Sequence, residues 1–353
     1  MKIAPILREL DSRQQATTTL IHTGQHYDRN LSDVFFEELG IRSPDILLGI
    51  GSGSHARQTA DLLVAIEEVL LAASNDGSPF ERIIVVGDVN STMAATLAAT
   101  KVHIPVAHVE AGLRSWDRSM PEEVNRIVTD SLSDMLFCSE AAGVENLMRE
   151  GHPAERVHLV GNVMIDTLFK QLDVAKQQNT LARLELIEGE YGVVTLHRPS
   201  NVDQPETLEA ILNVLAETSK RLPLVFPVHP RTSSRIKEFK LTPVLEKAKE
   251  LRLVEPQGYR DFLCLTSQAK VIVTDSGGLQ EESTALGVPC LTMRDSTERP
   301  VTCSEGTSEL VGNSADALQG QLEAVLAGTY KRGSCPQLWD GNAAKRIADL
   351  ICC

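Results

Sequence analysis

The chain has 353 residues, 42% hydrophobic and only 4% aromatic, with a formal net charge of −14. That length suits two domains, and the negative charge argues against nucleic acid, whose phosphates need a basic face. No apolar run approaches the roughly 20 residues of a membrane span, and the charged start MKIAPILRELDSR lacks the apolar core of a secretory signal, so a cytoplasmic protein is expected.

Taken in order, short apolar runs alternate with helical patterns. TTTLIHTG reads as a strand and HARQTADLLVAIEEVLLAAS as an amphipathic helix, apolar near i, i+3, i+4 and i+7. RIIVVGD, VAHVE, MLFCSE and RVHLVGN follow as strands, and residues 165–190 read as a polar joint. Beyond it come GVVTLH, the helix PETLEAILNVLAETSKRL, then PLVFPVH, LRLVEP, KVIVTD and PCLTM. Such alternation implies parallel sheets covered on both faces. The plan IIVVGDVNSTMAATLAATKVHIPVAHVE is echoed by VIVTDSGGLQEESTALGVPCLTM, with Asp88 and Asp275 in matching strand-end positions. The expected fold class is therefore α/β, with two Rossmann-like domains whose parallel sheets face each other across a cleft. Ligands of open α/β sheets bind beyond the carboxyl ends of the strands, and the motifs of interest lie at such ends.

In VTDSGGLQEES, Ser276, Gly277 and Gly278 open a predicted helix that stops at Gly287, before Pro289. Glycines admit a ligand close to the backbone, and a helix start favours phosphate. Glu282, one turn on, would repel phosphate but accept hydrogen bonds from sugar hydroxyls. Together they suit a nucleotide, although an ordinary strand–helix turn uses the same residues. In HVEAGLRSWDRSMPEEVNR, Glu110 ends a strand, and Pro121 begins a helix whose first turn holds Glu122. Glu122 also fits a purely structural pairing with Arg126 at i+4. VVTLHRPSN and FPVHPRT place His197 and His229 at strand ends, and MRDSTERP offers Arg299 to a diphosphate. Asp88, Glu110 and Glu122 are the acid/base candidates. No metal-ligand spacing appears among them, and none among the seven scattered cysteines, whose odd count and lack of CxxC suit free thiols.

These motifs, with HTGQHYD, HVEAGLRS, MPEEVNR, HRPSN, FPVHPR, TDSGGLQEE, GVPCLTMR and TERP in this order, resemble the non-hydrolysing UDP-N-acetylglucosamine 2-epimerases over nearly the whole chain. The resemblance implies a glycosyltransferase B-type fold. Its domains would be residues 1–168, with a C-terminal helix 338–353 packing back on them, and a UDP-binding domain 169–337. It implies reversible epimerisation of UDP-N-acetylglucosamine to UDP-N-acetylmannosamine by elimination and re-addition of UDP, without cofactor or metal, in a homodimer supplying surface polysaccharide. By the same resemblance Asp88, Glu110, Glu122 and His197 are catalytic, and Lys2, Gln257, Phe262, Ser276, Gly277, Gly278, Glu282 and Arg299 bind substrate. Some bacterial relatives are activated by a second bound substrate, and the regions of Gln25, His26 and His229 could serve such a site. Alternatives are a hydrolysing epimerase, a 2-epimerase of a UDP-2,3-diacetamido uronic acid sugar, and a non-catalytic UDP-sugar-binding protein. Two departures stand out. Pro199 and Ser200 replace a common Arg-Glu pair, and the strand and loop that precede the lysine in the family are not seen before Lys2. The first sheet is thus expected to lack its innermost strand, exposing apolar surface.

Overall fold

Among the residues described in this computed structural model (1–24, 36 and 38–352), every strand pairing is parallel. The chain divides into two units, Met1–Thr167 with Gln337–Cys353, and Leu168–Pro336. Each is a Rossmann-like αβ unit in its own right.

In the first unit, β1 (Ile21–His22) pairs with β2 (Ile46–Leu47). Strands β3 (Ile83–Val86), β4 (Val106–Val109), β5 (Met135–Cys138) and β6 (Val157–Leu159) form a separate sheet in that order. The helices named below are α1 (Ile3–Arg13), α2 (His55–Asn75), α3 (Asn90–Lys101), α4 (Pro121–Leu132), α5 (Ala141–Arg149) and α6 (Val163–Lys176). The core gathers Ile6 and Leu10 of α1, Ala107 and Val109 of β4, Phe137 of β5, and Ile347 of the C-terminal helix Ala343–Ile351. That last helix is capped by Asp166, which accepts from the Ala343 and Ala344 amides at 3.1 and 2.7 Å. Its carboxylate thus meets donors that a helix start leaves unpaired.

The sheet is unevenly covered. All four residues of β4 are buried, but three of the four in β3 are only partly so. The reason is a cavity of about 1170 Å³ lined by α1 (Ile6, Leu10), β1 (Ile21), β3 (Ile84, Val86) and α2 (Leu70). β1 and β3 both border this space and belong to different sheets.

Residues 165–190, expected as a polar joint, are largely helical. α6 runs through Val163–Lys176 and a short turn covers Thr180–Arg183. Ile165, Leu168 and Ala175 are buried, an apolar stripe that the surrounding Lys, Gln and Asp residues disguise in the sequence.

The second unit is a six-stranded sheet in the order β12-β11-β10-β7-β8-β9. Its strands are β7 (Gly192–Thr195), β8 (Leu224–Pro227), β9 (Leu251–Val254), β10 (Val271–Thr274), β11 (Cys290–Thr292) and β12 (Ser308–Leu310). Helices α7 (Pro205–Ser219), α8 (Tyr259–Ser267) and α9 (Gly277–Leu286) pack over it. Leu208, Leu212 and Leu215 of α7 join Phe226 and Val273 in one core, while Tyr191, Leu265 and Ile272 form the other face. The buried central strands explain their near-continuous Val, Ile and Leu.

A space that size, with Ile, Leu and Val side chains along part of its wall, predicts that 8-anilinonaphthalene-1-sulfonate binds the native protein with enhanced fluorescence. A dye signal no higher than that of a well-packed control would show that the space is closed in solution.

Candidate functional site

The carboxyl end of the first sheet carries a cluster of acids held by cations. Asp88 leaves β3 directly after Gly87, and its Oδ2 accepts from Arg126 Nη2 at 2.6 Å. The Asp88 carbonyl accepts from Asn125 Nδ2 at 2.8 Å. Both partners sit on α4, so helix packing sets the acid's position. Glu110 ends β4 with a positive φ of 72°, uncommon for a residue with a side chain. It is buried, and Lys2 Nζ donates to its Oε2 at 2.5 Å. Two residues on, Gly112 also has positive φ, and a Cβ there would come within 2.2 Å of the Gly143 carbonyl oxygen. Only glycine lets α5 approach so close to the turn that presents Glu110.

Glu122 is half-buried in the first turn of α4. The structural pairing with Arg126 does not form. Arg126 turns instead to Glu123, Nη1 to Oε2 at 2.7 Å, and to Asp88. Glu123 also accepts from the Ser115 and Trp116 amides, both at 2.9 Å. Glu123 thus takes the structural role, and among the described residues Glu122 has no ion-pair partner.

In the second unit Asp275 ends β10 and is fully buried. Its Oδ1 pairs with His197 Nδ1 at 2.7 Å, and its Oδ2 accepts from the His197 and Arg198 amides at 2.9 and 2.8 Å. Burial alone would raise its pKa, but His197 and these amides hold it below the usual range. Asp275 therefore orients His197 and fixes the proton on Nδ1, so the sequence echo of Asp88 has a different job. The ring of His229 lies 5.6 Å from that of His197. Its Nδ1 accepts from the Arg231 amide, and burial and the nearby His197 lower its pKa. Gln25 and His26 lie outside the described residues.

Ser276 stands at the N-terminal boundary of α9, which begins at Gly277 and ends at Gly287 in the left-handed conformation. A Cβ on Gly277 would lie 3.1 Å from Glu298 Oε1, with the Arg294 and Arg299 guanidinium groups just beyond. Arg299 is not the isolated cation the sequence suggests. Its Nε lies 2.5 Å from Glu281 Oε1 and its Nη1 donates to Glu298 Oε1 at 2.7 Å. Arg294, which the sequence reading passed over, donates to the other Glu298 oxygen at 2.9 Å. Burial opposes charge on Glu298, yet Arg299 and Arg294 hold its pKa down to about 2. The signal for Arg294 was present in MRDSTERP, but nothing local distinguishes a buried arginine from an exposed one.

Glu282 changes the electrostatic reading. Burial, with Glu281 beside it, pushes its pKa up to about 8. The shift favours the protonated form and weakens any repulsion of phosphate. The Tyr259 hydroxyl lies 3.5 Å from its Oε1. Gln257 is tied to its own loop through the Glu255 carbonyl at 2.6 Å and to Arg183 at 2.9 Å. Phe262 packs partly buried against the Tyr191–Leu265 core. No group of His, Cys, Asp and Glu that could hold a metal occurs among the described residues, and no described helix is long and apolar enough to cross a membrane.

The chain matches the family model described as UDP-N-acetylglucosamine 2-epimerase over residues 8–352. It is 41% identical to the UDP-N-acetylglucosamine 2-epimerase of Methanocaldococcus jannaschii, over 99% of this chain and 95% of that protein. It is 38% identical to the UDP-2,3-diacetamido-2,3-dideoxy-D-glucuronate 2-epimerase of Pseudomonas aeruginosa, over 99% and 96%. The crystal structure of the M. jannaschii UDP-GlcNAc 2-epimerase in complex with UDP-GlcNAc and UDP matches with a TM-score of 0.85 at 40% identity, over 99% of this chain and 95% of that one.

The Glu282 pKa makes a signed prediction. The folded state keeps a proton that the unfolded chain releases above about pH 4.5, so this residue's contribution to stability falls as pH rises from there to about 8 and is constant beyond. Glu282→Gln should remove that loss, at most about 1.4 kcal/mol per pH unit. Urea unfolding of both proteins at pH 5 and 8 tests it, and parallel pH dependences would refute it.

Proposed function

Since the chain belongs to the UDP-N-acetylglucosamine 2-epimerase family, we propose that it interconverts UDP-GlcNAc and UDP-ManNAc by eliminating UDP and adding it back. No carbonyl adjoins C2 within the ring, so that hydrogen is not acidic and direct deprotonation is implausible. Coupling its loss to departure of UDP solves the problem. A carboxylate takes the C2 proton, those bonding electrons form the C1–C2 double bond, and the C1–O electrons leave with UDP. Return of UDP to C1 with protonation of the opposite face of C2 completes the inversion. No net electrons move, so no redox cofactor is required.

In this reading Asp88, Glu110 and Glu122 surround the sugar as acid and base. His197, Arg299 and the Ser276–Gly278 helix start hold the diphosphate. Glu282 meets hydroxyls of the nucleotide, Gln257 and Phe262 face the uracil side, and Lys2 fixes Glu110. The observation that carries the reading is Glu110, a buried carboxylate on strained backbone, both costly features that cluster at functional sites. The resemblance further supports a cytoplasmic homodimer that supplies surface polysaccharide synthesis. Its relation to the P. aeruginosa enzyme makes the diacetamido uronic acid sugar the competing substrate to assay.

Proton NMR of UDP-GlcNAc with the protein in D₂O should show both UDP-sugars losing their C2–H signal as equilibrium is reached. Epimerisation with C2–H retained would rule out the mechanism, and UDP accumulating in step with free ManNAc would mark a hydrolase. Glu110→Gln and Asp88→Asn should each lower kcat by about 10²- to 10⁴-fold, with UDP affinity by calorimetry nearly unchanged. Near-native kcat in either would remove that residue from the acid/base set.

A further inference from the structure

Beneath the two acids of the first unit lies a polar pair that the chemistry above does not use. His108 is on β4 and Asp130 on α4, and both are fully buried. His108 Nδ1 lies 2.6 Å from Asp130 Oδ1, and its Nε2 lies 2.9 Å from the Gly87 carbonyl oxygen. Both ring nitrogens thus face acceptor oxygens, and each can be held through a ring N–H. The second Asp130 oxygen accepts from the Gly112 amide at 3.1 Å and pairs with Arg114 Nη1 at 2.7 Å. Arg114 is itself held by Glu150, through Nε at 2.8 Å and Nη2 at 2.6 Å.

The positions of these contacts in the chain give them meaning. His108 precedes Glu110 by two residues, and Gly112 follows it by two. One carboxylate therefore grips both shoulders of the turn that carries Glu110 at positive φ. Through the same imidazole it also grips the Gly87 carbonyl, and the next residue is Asp88. A strained turn of this kind persists only where its surroundings over-determine it, and buried charges are retained only where their hydrogen bonds are filled. Both conditions meet here.

We propose that the His108–Asp130 pair is a positioning device that sets Asp88 and Glu110 in fixed relation to one another. Neither member has exposed surface with which to touch substrate. The assignment rests on the epimerase reading for its effect on rate, but the holding of the two segments is measurable without substrate.

The test uses the full-length protein and two variants. Asp130→Asn keeps the shape, loses the charge and turns an amide donor toward the His108 ring or Arg114. His108→Gln keeps a donor within reach of the Gly87 carbonyl and loses the one to Asp130. Hydrogen–deuterium exchange should rise by about tenfold, the loss of one hydrogen bond, in segments 86–90 and 109–114 of Asp130→Asn. In His108→Gln it should rise chiefly in 109–114. Exchange over residues 191–330 should not change. In kinetics with UDP-GlcNAc, kcat should fall by about 10²-fold with KM within twofold. A merely structural pair would lower the melting temperature and leave kcat per folded molecule intact, which would overturn the proposal, as would unchanged exchange in both segments. If Asp130→Asn does not fold, His108→Gln decides alone. If the native chain does not epimerise either sugar, the functional reading fails, and the exchange pattern by itself settles whether the pair holds the two segments.

Discussion

A buried carboxylate at the carboxyl end of each sheet is the constraint on which the candidate site depends. Parallel strands covered on both faces must end in loops whose amides have lost water and need acceptors. In the second unit Asp275 answers that need, taking the amides of His197 and Arg198 and the side chain of Asn201 at 3.1 Å. In the first unit Asp130 takes the Gly112 amide and the His108 ring. Each anion is costly to bury and is retained because a histidine and backbone donors compensate it. Each also leaves a functional group aimed in one direction: the His197 ring in one case, the Glu110 carboxyl in the other. The parallel sheet thus supplies the demand for an anion, and the anion supplies the geometry.

On the proposed function, the charge around α9 is where a protein of net charge −14 would have to receive a diphosphate. Arg294 and Arg299 converge on Glu298 beside Gly277, and Glu281 holds Arg299 from the other side. Two cations and two anions cancel to first order, so attraction does not come from a bare positive patch. In the proposed reading it comes from arginines locked in one orientation and from the amides of a helix start, while burial raises the pKa of Glu282 and so weakens its repulsion. Preorganised donors of this kind do not have to reorient when the ligand arrives.

Much of this was legible in the sequence, for identifiable reasons. The strands with three or more branched apolar residues, such as KVIVTD and RIIVVGD, declare themselves by composition, and the Ser-Gly-Gly start with its stop at Gly287 declares α9. The two-residue β2 and three-residue β12 did not, because DILLGI and TSELVG carry too little pattern to separate edge strand from loop. Side-chain pairing was legible only where it is local. Helical spacing offers Glu122 to Arg126 as a structural partner, yet Arg126 pairs with Glu123 and the distant Asp88. Asp130 carries no local signal in the sequence, and only tertiary packing places it against His108, a partner 22 residues away. The raised pKa of Glu282 was likewise beyond reach, since it follows from burial created by residues on other elements.

The cavity bordering β1 and β3 bears on chemistry as well as packing. Asp88 hangs from the end of β3, a strand only partly covered, whereas Glu110 hangs from fully buried β4. Loss of neighbours on one side of β3 leaves its carboxyl end to be held from the other side. The structure does this through Arg126 and Asn125 of α4 on Asp88 and through His108 of β4 on Gly87. The geometry of the two acids is therefore drawn from β4, α4 and their buried charges more than from β3 itself. A unit built this way can lose packing beside β3 before it loses the alignment of Asp88 with Glu110, because the contacts that set the alignment lie on the opposite flank of the strand.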